Sequence, residues 1–391
     1  MKKILVLSLV LATALMASYV YAEELQGIKI GQATLHPSLT VEERYDSNIF
    51  LDPNDRKHDW INYITPAFKL DMPFGESDKH LADVMYKADI QSYAEYDQEN
   101  HIDQYVNGGV RLNMMDKGFL KVRDDFRITR DRSDTEFTQL IKRTENKGEV
   151  IAGIEMNKLA YEVGYYNFVR EYADMDYTNL EYSENAGMFT AFYQLFPKTQ
   201  VLAEYKYADI KYDSTEARDR DGDYHQIMGG LKGNLTGKSV GIIKIGYQVR
   251  TYKGADSKDF QKPVAEMGVI TDFTDRTRFE TKFSRMAYES TYGSNDFYDA
   301  YRFQAKLTQK LWTNWSLYGL FQFENNKYPE TDSSIDKRRK DDIYTTNVGL
   351  QYDIKEWLRT KLSYEFKEDS SNVDTSDYKR NLTSLSFTLL M

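Results

Sequence analysis

Leu358-Arg359-Thr360-Lys361-Leu362-Ser363-Tyr364-Glu365-Phe366-Lys367 alternates along its whole length. Leu358, Thr360, Leu362, Tyr364 and Phe366 form one row, and Arg359, Lys361, Ser363, Glu365 and Lys367 form the other. Successive side chains of a strand point to opposite faces, so this segment has a greasy face and a charged face. The same pattern recurs down most of the chain, broken by turn residues. Many such strands behind a secretion signal read as a transmembrane β-barrel, with lipid outside and a wet lumen inside.

Composition agrees. The chain has 391 residues, a net charge of −10 and 31 Tyr and 20 Phe against 4 Trp. Its mean hydropathy is −0.65. A helical membrane protein would be far more apolar, whereas a barrel shows lipid only alternate residues of a short band. Aromatic enrichment suits strands and interfacial girdles. There is no Cys, hence no disulfide framework and no thiolate metal site. The acidic balance points to no nucleic-acid partner.

The start reads as a signal peptide. Lys2 and Lys3 give the positive region, Ile4 to Met16 the apolar core, and Val20-Tyr21-Ala22 the cleavage site. The expected organisation is a signal peptide over 1–22, a short periplasmic segment over 23–32 and one barrel over 33–391. No later stretch approaches the roughly 18 apolar residues of a membrane helix.

The alternation predicts about eighteen antiparallel up-and-down strands, the even number usual for single-chain bacterial barrels. The first covers 33–45 and the last 378–391; others cover 182–196, 199–212, 239–252, 315–325 and 343–354. Connections alternate between short turns, such as 197–198 and 355–356, and long charged loops at 46–59, 131–143, 174–181, 213–222 and 326–342. Short turns belong in the periplasm and long loops outside, which places both termini in the periplasm of a bacterial outer membrane. The expected partner of the outer face is outer-membrane lipid.

The period of two also assigns faces. Phe279, Phe283, Ala287, Phe303, Leu362 and Phe366 should point outward, with Asp124 as an exception that belongs near an interface or marks a register slip. The other row should line the lumen: Lys87, Asp89, Tyr93, Tyr105, Arg111, Lys121, Arg123, Arg127, Arg278, Glu280, Lys282, Arg302, Lys306, Arg359, Lys361 and Glu365. Both signs are present. Charged rings and lining hydrogen-bond groups set pore selectivity. The blander explanation is that these groups pair across the wall, because opposite charges on neighbouring strands attract.

No motif carries other chemistry. Gly233-Asn234-Leu235-Thr236-Gly237-Lys238-Ser239 looks like a phosphate loop, but it is a residue short and leads into strand alternation, so it reads as a hairpin turn. Asp219-Arg220-Asp221-Gly222-Asp223 has part of a calcium loop, with Asp213 and Glu216 as further oxygens, yet lacks the full spacing; a solvated acidic loop is the simpler reading. The 5 histidines make no metal-ligand spacing. No catalytic constellation emerges, and neither enzyme activity nor a cofactor is expected.

Near the start stand Leu35-His36-Pro37-Ser38-Leu39-Thr40-Val41, Glu43-Arg44-Tyr45-Asp46-Ser47-Asn48-Ile49-Phe50, Ile64-Thr65-Pro66 and Pro73-Phe74-Gly75. With these, the chain resembles the putative β-barrel porin type 2 family of bacterial outer membranes. The resemblance implies an exit pore for exopolysaccharide, working with periplasmic export machinery and a polysaccharide substrate. It supplies no catalytic residues. The alternative is a general diffusion porin for small solutes or ions. The oligomeric state is left open.

Overall fold

The computed structural model describes residues 27–114, 117–132, 135–213, 219–254, 257–293, 295–332 and 336–391. The expected signal peptide lies outside them. Strands, numbered in chain order, are β1 (Ile28–Ile30), β2 (Ala33–Asp46), β3 (Asp59–Phe74), β4 (His80–Tyr93), β5 (His101–Met114), β6 (Gly118–Thr129), β7 (Arg143–Met156), β8 (Leu159–Tyr172), β9 (Tyr182–Phe196) and β10 (Thr199–Tyr212). They continue with β11 (Gly222–Asn234), β12 (Ser239–Tyr252), β13 (Phe260–Thr274), β14 (Thr277–Glu289), β15 (Phe297–Lys310), β16 (Trp315–Asp332), β17 (Lys337–Lys355), β18 (Leu358–Ser371) and β19 (Tyr378–Leu390).

Strands β2 to β19 pair antiparallel in chain order. The wall closes when β19 returns to β2, in register from Leu382 opposite Asp46 to Leu390 opposite Ser38. Closure removes the open edges that would otherwise leave backbone groups unpaired in lipid. The barrel therefore has eighteen strands. The short β1 is an addition within 23–32, folded back on the start of β2 with Ile28 opposite Leu35.

Side-chain sorting follows from the environment on each face. Leu362 is 52% exposed and Leu385, Phe387 and Val348 are likewise exposed, so they form an outer apolar belt and not a shared core. A charge facing lipid at mid-depth costs about 2–4 kcal/mol, which keeps that row apolar. Asp124 marks no register slip. Its ladders to β5 and β7 run without a register shift, and it sits outward between Gly108 and Gly148.

One expected loop is shorter than the alternation predicts. Residues 326–342 are mostly strand, because β16 and β17 continue past the alternating region and still pair at Thr331 opposite Arg338 and Asp332 opposite Lys337. Beyond the lipid, nothing forces one face to be apolar, so strand persists where alternation stops. The phosphate-loop look-alike is a turn between β11 and β12, where the Leu235 amide donates to Ser239 O at 2.9 Å and Gly233 has φ 116. Only glycine holds that conformation without strain.

Candidate functional site

Contacts between strands that are not neighbours identify the inner face. Tyr166 of β8 and Tyr224 of β11 both donate to Glu184 Oε1 of β9, the second at 2.6 Å. Such a reach is available only across the concave side. Registers then carry the assignment from strand to strand.

Buried charge is concentrated on this face toward the long-loop rim. Glu145 of β7 accepts from three arginines: Arg127 Nε of β6 at 2.5 Å, Arg143 Nε at 2.8 Å and Arg170 Nε of β8 at 2.9 Å. Arg143 is 1% exposed and also donates to Asp131 Oδ1 at 2.6 Å. The Asp46 carboxylate clamps the seam by accepting Arg380 Nε of β19 at 3.0 Å, and it caps the Asn48 amide at 2.9 Å. Asn48 is fully buried and donates to Asp52 O and Lys379 O. The Asp-Ser-Asn-Ile step noted in the sequence is thus the corner that locks the barrel closure and sends Ile49 and Leu51, both buried, toward the bore.

The ladder between β13 and β14 is cut short. β13 stays in register with β12 up to Phe260, but its ladder with β14 ends at Ala265 opposite Arg285. Above that point the β14–β15 hairpin leaves the wall and lies inside it. Ala287, Glu289, Phe297 and Asp299 belong to the outward row of this hairpin, yet all are covered. Glu289 accepts from Tyr212 Oη of β10 at 2.6 Å and Tyr252 Oη of β12 at 2.9 Å, and it pairs with Arg250. Phe297 stacks on Tyr252 with centroids 5.8 Å apart, while Ala287 packs in one cluster with Met228, Phe260 and Val264. The expectation that Ala287 faces lipid is therefore corrected: its row is outward, but the neighbouring wall covers it.

Loops cap this second layer. Glu136, between β6 and β7, accepts from Ser290 Oγ at 2.7 Å and from the Thr291 amide at 2.9 Å. Arg220 donates to Ser290 O at 2.7 Å and pairs with Asp296 at 3.4 Å. Arg132 reaches Ile49 O at 2.8 Å. Burial pulls the Arg132 guanidinium down to about 10, and the charge of Arg380 acts in the same direction. Below these loops lies a cavity of about 720 Å³, whose lining includes Phe137, Lys282, Tyr288, Arg302, Glu324 and Lys367.

The residues singled out from the sequence divide into groups. Lys87 sits 2.7 Å from Asp89 and its ammonium lies 4.5 Å from the Tyr105 ring centroid. Arg123 donates to Asn107 Oδ1 at 3.1 Å and approaches Asp83, while Lys121 lies 3.7 Å from Glu149. Arg111 donates to Asn113 Oδ1 at 3.0 Å, Arg278 pairs with Asp272 at 2.8 Å, and Arg359 pairs with Asp353 at 2.6 Å, all toward the short-turn rim. Lys306 is 3.8 Å from Glu280, Lys361 lies 4.7 Å from the Tyr318 ring, and Glu365 accepts from Asn347 at 3.1 Å. Tyr93 is opposite Ile61 near the seam. Most of these groups satisfy one another along the wall. Arg302 and Lys282 line the chamber; Arg302 pairs with Glu324 at 3.1 Å, whereas no carboxylate among the described residues lies within ion-pair reach of Lys282.

Sequence reasoning missed Glu289, Arg250, Glu136, Glu145 and Arg170. A signal existed for Glu289: Arg285, Glu289 and Asp299 put three charges on a row that should meet lipid. In the acidic 219–223 loop, Lys211 Nζ at 3.2 Å and Lys253 Nζ at 3.4 Å already hold the Asp221 carboxylate; Glu216 is outside the described residues. Among the described residues no group of His, Asp and Glu side chains is arranged to hold a metal ion.

Comparisons with known proteins agree with this architecture. The profile of a family described as "Putative beta-barrel porin 2" matches residues 22–390. Similar solved structures include OccAB3 of Acinetobacter baumannii, 13% identical with a TM-score of 0.50, covering 93% of this chain and 100% of that one. OccK3 (OpdO) of Pseudomonas aeruginosa is 12% identical with a TM-score of 0.50, covering 91% and 96%. The outer membrane protein OpdK of Pseudomonas aeruginosa is 14% identical with a TM-score of 0.49, covering 91% and 98%. At these identities the likeness to the first two concerns the fold alone. No curated protein matches the sequence significantly. A closed wall of eighteen strands and a family match over almost the whole chain place this protein in the putative beta-barrel porin 2 family, as a porin of the bacterial outer membrane.

Proposed function

We propose that this barrel is a passive diffusion channel for small polar solutes or ions, narrowed by its own hairpin and loops. The observation that carries the reading is the contact of Glu136 with Ser290 and Thr291 above the inner chamber. A polymer exit would need a bore left clear along its length. Here a second layer of backbone occupies part of it, which favours the small-solute reading over export of exopolysaccharide. The lining that remains is polar and of both signs, as passage of hydrated solutes requires. Lys282, Arg302, Lys306, Glu280, Lys87, Asp89, Arg123 and Lys361 act as wall groups of the conduction path. The chain works as a conduit and not as a catalyst. The short-turn rim, with both termini, faces the periplasm, and the long loops face outside.

Liposome swelling tests this. Vesicles carrying the pure protein should swell rapidly with pentoses and hexoses, slowly with disaccharides and not with a decasaccharide. Equal rates for hexose and decasaccharide would return the export reading.

A further inference from the structure

The inward hairpin leaves a mark on the outside of the wall. Where β13 and β14 part, a cleft of about 310 Å³ opens between Lys258 and Lys262 on one side and Lys327, Arg338 and Lys340 on the other. Its floor is Phe297 and Asp299, and Asp259 and Arg339 also line it, so cations outnumber carboxylates there. Three of these cations have carboxylate partners: Lys258 with Glu330 at 3.1 Å, Lys262 with Asp299 at 2.9 Å and Lys340 with Asp342 at 2.6 Å. Lys327 and Arg338 have none within ion-pair reach among the described residues; the Lys327 ammonium rests 5.2 Å from the Tyr301 ring centroid. Lys327 also stands directly opposite Lys340 in the β16–β17 ladder. Like charges directly opposite each other destabilise a sheet, and only Lys340 of this pair has a carboxylate beside it, which leaves Lys327 for an added anion.

A second hollow shares Lys327 with the first. It measures about 320 Å³ and is lined by Phe283, Tyr301, Phe303, Phe323 and the same Lys327. These aromatic side chains belong to the outward row that meets lipid. A cationic cleft above an aromatic groove, joined through one lysine, fits an amphiphile whose polar end is anionic. Aromatic residues gather at the level of lipid headgroups, and basic residues at that level hold anionic headgroups.

We propose that the cleft and groove hold a membrane lipid with a phosphorylated headgroup, the phosphate on Lys327, Arg338 and Lys340 and an acyl chain along Phe283, Tyr301, Phe303 and Phe323. Lys327, Arg338 and Lys340 stand on the outward row of β16 and β17, so the test is independent of the channel reading. Purified protein in neutral detergent is titrated with bisphosphorylated lipid A and with its fully dephosphorylated counterpart, and adducts are counted by native mass spectrometry. Lipid A should bind, and the variant Lys327→Gln/Arg338→Gln/Lys340→Gln should weaken it about tenfold or more. Dephosphorylated lipid should bind no better to the native protein than lipid A does to the variant. Heat-modifiable gel migration checks that the variant is folded. Arg338→Gln alone, at an exposed position, gives a graded loss if the triple variant does not fold. Equal binding of the two lipids, or variants as tight as the native protein, would overturn the proposal. Displacement by inorganic phosphate at the lipid's own concentration would assign the cleft to free phosphate instead.

Discussion

Two buried glutamates, Glu145 and Glu289, sit in the same barrel and do different work. Glu145 joins β6, β7 and β8, three strands already side by side, so its arginines reinforce a wall that the ladder has built. Glu289 joins β14 to β10 and β12, strands that are not its neighbours, and holds one layer of sheet inside another. Equal burial therefore does not mean equal function. A network within the wall contributes stability, whereas a network between layers contributes shape to the bore.

The largest expected effects come from breaking that contrast. Glu145→Ala removes the carboxylate that three arginines share, although Arg143 keeps Asp131, and breaking a buried ion pair by removing one partner costs roughly 3–5 kcal/mol. The urea midpoint of unfolding from lipid should fall sharply while the conductance of the folded channels stays native. Glu289→Ala should behave in the opposite sense. It strands Arg250 at a similar cost, about 3–5 kcal/mol, but the strain is relieved by release of the hairpin from the wall. Single-channel conductance should rise severalfold with a smaller shift in the urea midpoint. If both variants lose stability equally and neither conducts more, the two networks are alike and the contrast fails.

Smaller effects sharpen it. Arg380→Gln removes the charged partner of Asp46 at the seam, worth about 1.5–3 kcal/mol for a hydrogen bond between charged groups, and should lower stability without widening the pore. Glu136→Gln weakens only the loop contact to Ser290 and Thr291, at about 1 kcal/mol, and should appear as faster current flicker. The smallest change is expected from Lys282→Gln with Lys367→Gln. Removing two cations from the chamber should shift reversal potentials in a salt gradient toward cation preference, by about twofold in permeability ratio. An unchanged reversal potential would put both lysines outside the conduction path.

Strand positions were written in the sequence wherever lipid acts on it. The intervals 182–196, 199–212 and 239–252 coincide with β9, β10 and β12, whose alternating stretches run between recognisable turns. Alternation stops with the lipid, so the upper parts of β16 and β17 read as a loop although their ladder continues. The inward hairpin was illegible for a different reason. It depends on where the β13–β14 ladder ends, a tertiary choice that neither strand records by itself. Its one trace was the failed sorting at Arg285, Glu289 and Asp299. Among the lining residues, alternation alone selected Arg302 and Lys282, but it could not say which charges would neutralise one another, since that depends on register between strands.

The placement of the hairpin can be tested at single positions, since the chain has no native Cys. Phe303→Cys and Ala287→Cys stand on the same outward row of the β14–β15 hairpin, one toward lipid and one beneath the wall of β12 and β13. In proteoliposomes, a membrane-partitioning maleimide should label position 303 fast, and position 287 should resist both that reagent and a water-soluble one until Glu289→Ala frees the hairpin. Labelling of 287 by the membrane reagent as fast as 303 would mean that the hairpin is ordinary wall, and the narrowed channel would have no structural basis.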